Sequence, residues 1–110
     1  MNLSPGEVWL ADLGMAAKTR PVVVVSRRDE QTPRALVIYV PLTTQNRGSR
    51  YEVVIPLLRF LRQASVANVQ GIGSIPEARL EKRLGRLPEA VLAEIRSAIA
   101  FALDLESLAD

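Results

Sequence analysis

The sequence predicts a mainly β fold, in which a small, strongly curved antiparallel sheet half closes into a barrel and one C-terminal helix packs on it. Two observations support this prediction: short apolar segments separated by short polar loops fill most of the chain, and an amphipathic stretch follows them. Short strands with short connections pair most readily as antiparallel neighbours, and a curved sheet buries one face beneath a helix. With 110 residues and no linker or internal repeat, we expect one domain over residues 1–110.

Five apolar segments have the length and composition of β-strands. The second carries four consecutive valines after a proline, and an unbroken β-branched run is typical of a strand buried on both faces. The predicted strands are residues 6–13, 21–26, 35–40, 51–55 and 63–69. Between them, the turn-forming residues of 41–49 predict a loop, and residues 57–62 predict one short helical turn.

The C-terminal part is less regular until its last segment. Residues 71–75 are glycine-rich, but the residues after them do not resemble the helix start that a phosphate-binding loop requires, so we expect a strand with a bulge or bend. Residues 79–87 leave two interpretations open: the spacing of their basic residues favours a helix, whereas Gly85 favours a short turn followed by a small strand. Residues 88–105 predict the clear helix, because a proline suits the first position and an apolar stripe recurs with helical spacing.

The absence of two residue types narrows the chemistry. The sequence has no cysteine and no histidine, which excludes disulfides and thiolate metal sites and removes the commonest general base and metal ligand. Catalysis would have to use Arg, Lys, carboxylate and hydroxyl groups, so we expect neither a metal nor a cofactor. No apolar run approaches the roughly 18 residues that span a bilayer, and no signal peptide is recognisable. We therefore expect a cytoplasmic protein without membrane contact.

The net charge of +2 is unevenly distributed along the chain. Up to Arg62, nine basic residues and five acids give +4; from Gln63 onward, five basic residues and seven acids give −2. Twelve of the fourteen cations are arginines, whose planar fork suits phosphate better than the point charge of lysine. This pattern favours an anionic partner, although an arginine-rich genome would explain it equally well.

Arg20 stands directly before the valine strand. Pro21 fixes its own φ and disfavours the helical region for Arg20, so the guanidinium should extend outward from a stiff backbone at the edge of the core. Taken alone, a solvated arginine at the end of a core strand is the more common situation. The rest of the chain decides between the two interpretations.

Several short segments follow one another in a recognisable order. They are GEVW at 6–9 with DL at 12–13, RPVVVVS at 20–26, PLTTQ at 41–45, SVA at 65–67, RL at 79–80 and GRL at 85–87. This ordered set, which covers nearly the whole chain, resembles the MazF/PemK family of toxin–antitoxin endoribonucleases.

The resemblance implies an SH3-like, half-open antiparallel barrel of the CcdB/PemK/MazF type with a C-terminal helix. It further implies a homodimer that cleaves single-stranded RNA, including mRNA, at specific sequences without a metal and so inhibits translation. A cognate antitoxin, itself DNA-binding, would lie across the dimer and block the activity. The family's catalytic arginine and threonine match Arg20 and Thr43, although Thr44 leaves the choice of hydroxyl open by one residue.

These residue types suit the cleavage of RNA by its own 2′-hydroxyl. Arg20 would stabilise the negative charge that develops on the phosphoryl oxygens, or protonate the leaving 5′-oxygen. Arginine stays protonated at neutral pH and cannot be the base, and Thr43 would position the phosphate or the attacking group. The base is not identified by the sequence, where only position suggests Glu7, Asp12, Glu52 or Gln70.

The chain departs from the family pattern at two places. Many members have a longer first loop, whereas here it spans only residues 14–19. Many also carry an aspartate in a D-Q pair, to which Gln70 is the nearest match. An acid–base role for an aspartate at that place is therefore unsupported.

A further set of polar and aromatic residues is expected to bind the RNA. Tyr51, beside Arg50, is the best stacking candidate, because recognition of single strands commonly uses aromatic rings. Trp9 and Tyr39 lie within strands and are expected in the core. The expected RNA-binding residues are Lys18, Thr44, Gln45, Arg47, Arg50, Tyr51 and Gln70.

Two other functions are compatible with the same barrel. One is a non-catalytic toxin that acts by binding a protein such as a topoisomerase, as the CcdB relatives do. The other is a nucleic-acid-binding SH3-like module without chemistry. The pairing of Arg20 with a hydroxyl favours the nuclease, whereas the missing aspartate favours the alternatives.

Overall fold

The computed structural model describes residues 2–14 and 19–105. Within these residues it shows an antiparallel sheet of seven strands and one α-helix, with two short 3₁₀ turns, Val69–Gly71 and Glu77–Arg79. The strands are β1 Glu7–Asp12, β2 Thr19–Val24, β3 Leu36–Thr43, β4 Glu52–Ile55, β5 Ser65–Asn68, β6 Gly73–Pro76 and β7 Leu80–Arg86, and the helix is α1 Glu89–Ala102. The prediction of a mainly antiparallel β fold with one C-terminal helix is confirmed.

The sheet is open rather than fully closed. Its strands follow the order β4-β5-β3-β2-β1-β7, and β6 pairs with β3 beside this path. The central strand β3 uses its first half to pair with β6, from Leu36 to Tyr39, and its last residues Leu42 and Thr43 to pair with β5. β5, the first 3₁₀ turn and β6 thus form one interrupted edge along β3, which agrees with the bend predicted at the glycines.

The predicted loop at residues 41–49 is wrong at its beginning, because β3 continues through Thr43. Leu42 is buried and pairs with Ala67, and Thr43 pairs with Val66. Pro41 is tolerated in the strand because it lies at the end of the ladder with β2, opposite Val22. Thr43 is therefore fixed by a strand rather than carried on a loop.

Two local expectations of helix are also wrong. Residues 79–87 form a 3₁₀ turn and then the strand β7, which pairs with β1, so the second interpretation is the observed one. Residues 57–62 form turns without a helix, although Leu61 is buried and its N–H donates to the carbonyl of Leu58 at 3.0 Å. Residues 79–87 become a strand because they pair with the distant strand β1, and the spacing of residues along the chain does not reveal such pairing.

The sheet has an apolar core on each of its faces. Val22, Val23 and Val24 are all 0% exposed, which confirms the prediction of a strand buried on both sides. Val23 belongs to the larger cluster beneath α1, whereas Val22 and Val24 belong to a smaller cluster on the opposite face. Trp9 and Tyr39 pack against the smaller cluster, as expected of core aromatics.

Helix α1 covers the larger cluster and confirms the predicted C-terminal helix, with shorter bounds. Its buried residues are Val91, Leu92, Ile95 and Ala98, which recur with helical spacing. Among the described residues, no helix has the length and apolar character needed to cross a membrane.

Candidate active site

Arg20 and Thr43 lie where the ladder between β2 and β3 ends. The last paired residues are Val22 and Pro41, and continuing this antiparallel register by two residues would set Arg20 opposite Thr43. The ladder stops before that point, and each residue is paired only on the other edge of its strand: Thr43 with Val66 of β5, and Arg20 with Ala11 of β1. A cleft of about 590 Å³ has both residues in its wall.

This catalytic cleft, as we name it, has its wall on the face opposite α1. Side chains alternate along a strand, so Arg20 shares a face with Val22 and Val24 of the smaller cluster. Arg20 is exposed, and among the described residues no hydrogen bond or ion pair holds its guanidinium. The cleft is lined by Leu13, Arg20, Tyr39, Pro41, Leu42, Thr43, Thr44, Gln45, Asn68 and Gly71.

The hydroxyl of Thr43 is oriented by its own loop. Its Oγ1 accepts a hydrogen bond from the backbone N–H of Gln45 at 3.2 Å, so its proton is available to a ligand in the cleft. Thr43 is half-buried on a strand, whereas Thr44 is exposed beyond the strand end. Both line the cleft, but only Thr43 has a fixed backbone and an oriented oxygen.

A second cleft of about 590 Å³ adjoins the first. The two share Thr43, Gln45 and Asn68 in their walls, so they form one continuous groove across the ends of β3 and β5. The second cleft is lined by Thr43, Gln45, Arg47, Ser49, Tyr51, Glu52, Asn68 and Gln70. The groove thus brings together Arg20, Thr43, Thr44, Gln45, Arg47, Tyr51 and Gln70 from the sequence-predicted set.

Glu52 organises the loop that carries Arg47. Its Oε1 accepts from the N–H and the hydroxyl of Ser49 at 2.9 and 2.8 Å, and its Oε2 accepts from the N–H of Arg47 at 3.0 Å. Hydrogen bonds from the Ser49 backbone, above all, hold the pKa of Glu52 below its usual value of 4.5. A carboxylate with a lowered pKa and three donors already bound is a poor general base.

Arg50 does not line the groove, in contrast to its neighbours in the sequence-predicted set. Its guanidinium carbon lies 3.7 Å from the centre of the Phe101 ring on α1. The Tyr51 ring, which borders the second cleft, also meets Phe101, with centroids 5.2 Å apart and planes inclined by 51°. This cluster connects the loop before β4 to the end of the helix.

Asn68 is a groove residue that the sequence analysis missed. It ends β5, and its Oδ1 accepts from the N–H of Gln70 at 3.2 Å, which caps the 3₁₀ turn. Its Nδ2 amide is left as a donor at the junction of the two clefts. An asparagine followed three residues later by glycine signals a turn in the sequence, but not a binding site.

The other sequence-predicted groups lie elsewhere or outside the described residues. The Glu7 carboxylate accepts a hydrogen bond from the Trp9 indole at 3.0 Å and lies 3.9 Å from Arg83. The Asp12 carboxylate accepts from the backbone N–H of Gly14 and lies 3.8 Å from Arg79. Neither acid lines the groove. Lys18 falls outside the described residues, and within those residues no group of three carboxylates is arranged to hold a metal ion.

Comparison with known proteins gives a consistent result. Residues 4–103 match the family model described as a PemK-like, MazF-like toxin of a type II toxin–antitoxin system. The chain is 37% identical over 101 residues to a probable endoribonuclease, MazF5, of Mycobacterium tuberculosis, covering 90% of this chain and 91% of the relative.

Solved structures agree in fold over nearly the full length. A mycobacterial endoribonuclease in complex with its cognate antitoxin superimposes with a TM-score of 0.82 at 28% identity, covering 94% of this chain and 96% of the other. The Mycobacterium tuberculosis toxin MazF-mt6 gives a TM-score of 0.79 at 29% identity, covering 90% of this chain and 97% of the other. The chain belongs to the PemK-like, MazF-like toxin family of type II toxin–antitoxin systems.

Proposed function

We propose that this chain is the toxin of a type II toxin–antitoxin system and a sequence-specific endoribonuclease that cleaves single-stranded RNA, including mRNA, without a metal or cofactor, and so inhibits translation. The observation that carries the proposal is the cleft that has both Arg20 and Thr43 in its wall. The similar proteins are named as endoribonucleases, which supports this reaction.

Arg20 acts on the phosphate in this proposal. The 2′-hydroxyl loses its proton to solvent water as its oxygen attacks the adjacent phosphorus, and the bond from phosphorus to the 5′-oxygen breaks, which gives a 2′,3′-cyclic phosphate and a 5′-hydroxyl. Negative charge accumulates on the phosphoryl oxygens during this step, and a fixed cationic donor there stabilises the transition state. The β2 backbone, held between β1 and β3, supplies the rigidity. Arg20 also donates toward the leaving 5′-oxygen.

Thr43 positions the scissile group. Its hydroxyl oxygen is already bound by the Gln45 N–H, so the O–H proton is directed to an acceptor on the substrate, such as a phosphate oxygen. Asn68 adds an amide donor at the same junction. Because no carboxylate lines the cleft that holds Arg20, the proposed catalysis relies on positioning and electrostatic stabilisation rather than on a carboxylate base.

The rest of the groove binds the RNA strand on either side of the cut. Arg47 and Gln70 supply a cation and an amide to the backbone and bases, and the Tyr51 ring offers a stacking surface. Thr44 and Gln45 line the cleft that contains Arg20, and Lys18, two residues earlier in the sequence, adds positive charge. Arg50 contributes indirectly, through its contact with Phe101.

The partners follow from the same family. We propose that the chain acts as one toxin domain over residues 1–110, forms a homodimer, works in the cytoplasm, and is inhibited by a cognate, DNA-binding antitoxin. A solved relative in complex with its cognate antitoxin supports this partner.

The test is incubation of purified protein, freed of any antitoxin, with a long single-stranded RNA in excess chelator. We expect cuts at defined sites with the wild-type chain and none with Arg20→Ala or Thr43→Ala, while Arg96→Ala, an exposed cation on α1 away from the groove, cuts normally. Intact RNA with the wild-type chain would reject the nuclease and leave the protein-binding toxin as the better account.

A further inference from the structure

A third cavity lies on the face of β2 that is opposite to the Arg20 side chain. It measures about 530 Å³ and is separate from the groove. Arg20 and Pro21 are consecutive in a strand, so their side chains point to opposite faces; Arg20 borders the catalytic cleft and Pro21 borders this cavity. Its floor crosses three strands, because Pro21 pairs with Leu10 and Leu10 pairs with Lys82. We name it the rear cavity.

The wall of the rear cavity is preformed. It consists of the turn segment between β4 and β5, in which Leu61 is buried. The ring of Phe60 occupies the space that a β-carbon on residue 85 would take, so only glycine there allows the ring to lie against β7. An aromatic ring and a proline thus form part of an apolar surface that exists before any ligand arrives.

The rim of the rear cavity is positively charged. Arg62, Lys82 and Arg83 line it, and no acidic residue does. Arg83 lies 3.9 Å from the carboxylate of Glu7, but in the part of the chain that the structure describes no hydrogen bond or ion pair engages the side chains of Arg62 and Lys82. Arg83 is opposite Trp9, which packs on the other face of the sheet, and it lies beside Glu7, so the available charge comes from Arg62 and Lys82. A concave site with two cations and no acid in its lining attracts anions.

We propose that the rear cavity binds a nucleotide unit of single-stranded RNA, with the phosphate between Arg62 and Lys82 and the base on the surface made by Leu10, Pro21 and Phe60. Single strands are bound by cations along the backbone together with flat apolar or aromatic surfaces for the bases, and this cavity provides both within one volume. The inference rests on the proposed function, because it extends the RNA-binding surface beyond the groove.

The test compares two double variants with equal loss of charge. The first variant, Arg62→Gln with Lys82→Gln, removes the two cations of the rim. The second variant, Arg34→Gln with Arg96→Gln, is the control: it removes two exposed cations that line neither the groove nor the rear cavity. The probe is a fluorescently labelled RNA with 2′-O-methyl groups, whose binding is followed by anisotropy over a salt series. We expect the slope of log Kd against log salt to fall in magnitude by about 0.7 for the rim variant, the value for one lost phosphate contact on a single strand, and to stay unchanged for the matched control.

The outcomes separate this inference from the proposed function. An equal loss of slope in both double variants would overturn the rear cavity as a site. The inference would also be overturned if the rim variant kept the wild-type slope for RNA but bound a labelled poly-glutamate peptide more weakly. That result would assign the cavity to an acidic protein segment. If the wild-type protein cuts long RNA but both double variants keep the wild-type slope, the nuclease function is supported and the rear cavity is rejected as an RNA site. If only the rim variant loses slope but the wild-type protein cuts no RNA, the rear cavity is supported and the nuclease function is rejected.

Discussion

Arg20 and Thr43 stand opposite each other in the continued register of β2 and β3, and both line one cleft just beyond the end of the ladder. The pairing of Val22 with Pro41, the last of that ladder, sets this relationship. Beyond it each strand is paired only on its other edge, β2 with β1 and β3 with β5, so Arg20 and Thr43 are not bonded to each other. The guanidinium and the hydroxyl are therefore placed by sheet geometry. Changes to either side chain should affect catalysis without affecting the fold.

Replacement of Arg20 by lysine should separate charge from geometry. Arg20→Ala should lower the single-turnover cleavage rate by about 10²–10³-fold, the usual cost of one lost donor to a developing oxyanion. Arg20→Lys should recover only part of this loss, because it keeps the charge but lacks the planar fork. The measurement is single-turnover cleavage of a labelled RNA at saturating protein, and a wild-type rate in Arg20→Ala would contradict the assignment.

The two adjacent threonines should differ in their effect. Thr43→Val removes the hydroxyl that the Gln45 N–H orients and should lower kcat by about 10²-fold through misplacement of the substrate, whereas Thr44→Val should leave it nearly unchanged. Thr43→Ser should restore activity because it keeps the oxygen. A larger loss in Thr44→Val than in Thr43→Val, with both proteins folded, would assign the hydroxyl to the other residue.

The loop before β4 should lose order in acid. The pKa of Glu52 is lowered by hydrogen bonds from the Ser49 and Arg47 backbones, so the carboxylate stabilises the folded loop fully above its usual value of 4.5, and this stabilisation is lost as the pH falls through the lower folded pKa. We expect faster hydrogen exchange at the Ser49 and Arg47 amides, relative to β2 amides, as the pH falls. Glu52→Gln should show the faster exchange at every pH, and an unchanged ratio in wild-type protein would contradict the role of Glu52.

Gly85 should be intolerant of a side chain. Gly85→Ala would place its β-carbon within the Phe60 ring, and overpacking of this kind costs about 1–3 kcal/mol of unfolding free energy. Phe60→Leu in the same chain should relieve part of the loss. Urea denaturation of the two single variants and the double variant measures this coupling, and strictly additive losses would show that the ring moves away freely.

Arg50 and Phe101 should be energetically coupled. The guanidinium lies 3.7 Å from the ring centre, and an exposed cation–π contact contributes about 0.5–1 kcal/mol. A double-mutant cycle with Arg50→Gln and Phe101→Leu should recover a coupling free energy of this size from urea denaturation. A cycle with Arg96 in place of Arg50 is the control and should give no coupling.

The strand pattern could be predicted from the sequence, because it depends on local order, and the sequence also pointed to Arg20 and Thr43, which line one cleft. Four valines after a proline identify a buried strand, and the segments around Arg20 and Thr43 resemble a family whose fold is shared. The end of β3 could not be predicted, since Pro41 resembles a break until its place at the end of a ladder is known. The form of residues 79–87 depends on pairing with β1, which no spacing along the chain reports.

The remaining differences at the groove arise from tertiary contacts. Asn68 carries no local signal of function, and it becomes a groove residue only because β5 runs antiparallel to the end of β3 and brings Asn68 into the wall shared with Thr43. Arg50 resembles its neighbour Arg47 in the sequence, but the end of α1 brings Phe101 beneath it. Such outcomes depend on which elements meet in space, so a single sequence contains them only implicitly.

The open sheet leaves three strands with a single neighbour, β4, β6 and β7, in the described part of the chain. β4 has only four residues and is followed by Pro56, while β7 carries the exposed charged residues Glu81, Lys82, Arg83 and Arg86. Short length, proline and charge are the features by which natural sheets prevent other chains from adding strands at an edge. The same cations that surround the rear cavity thus also oppose aggregation, and replacing them with apolar residues would be expected to favour fibril-like association.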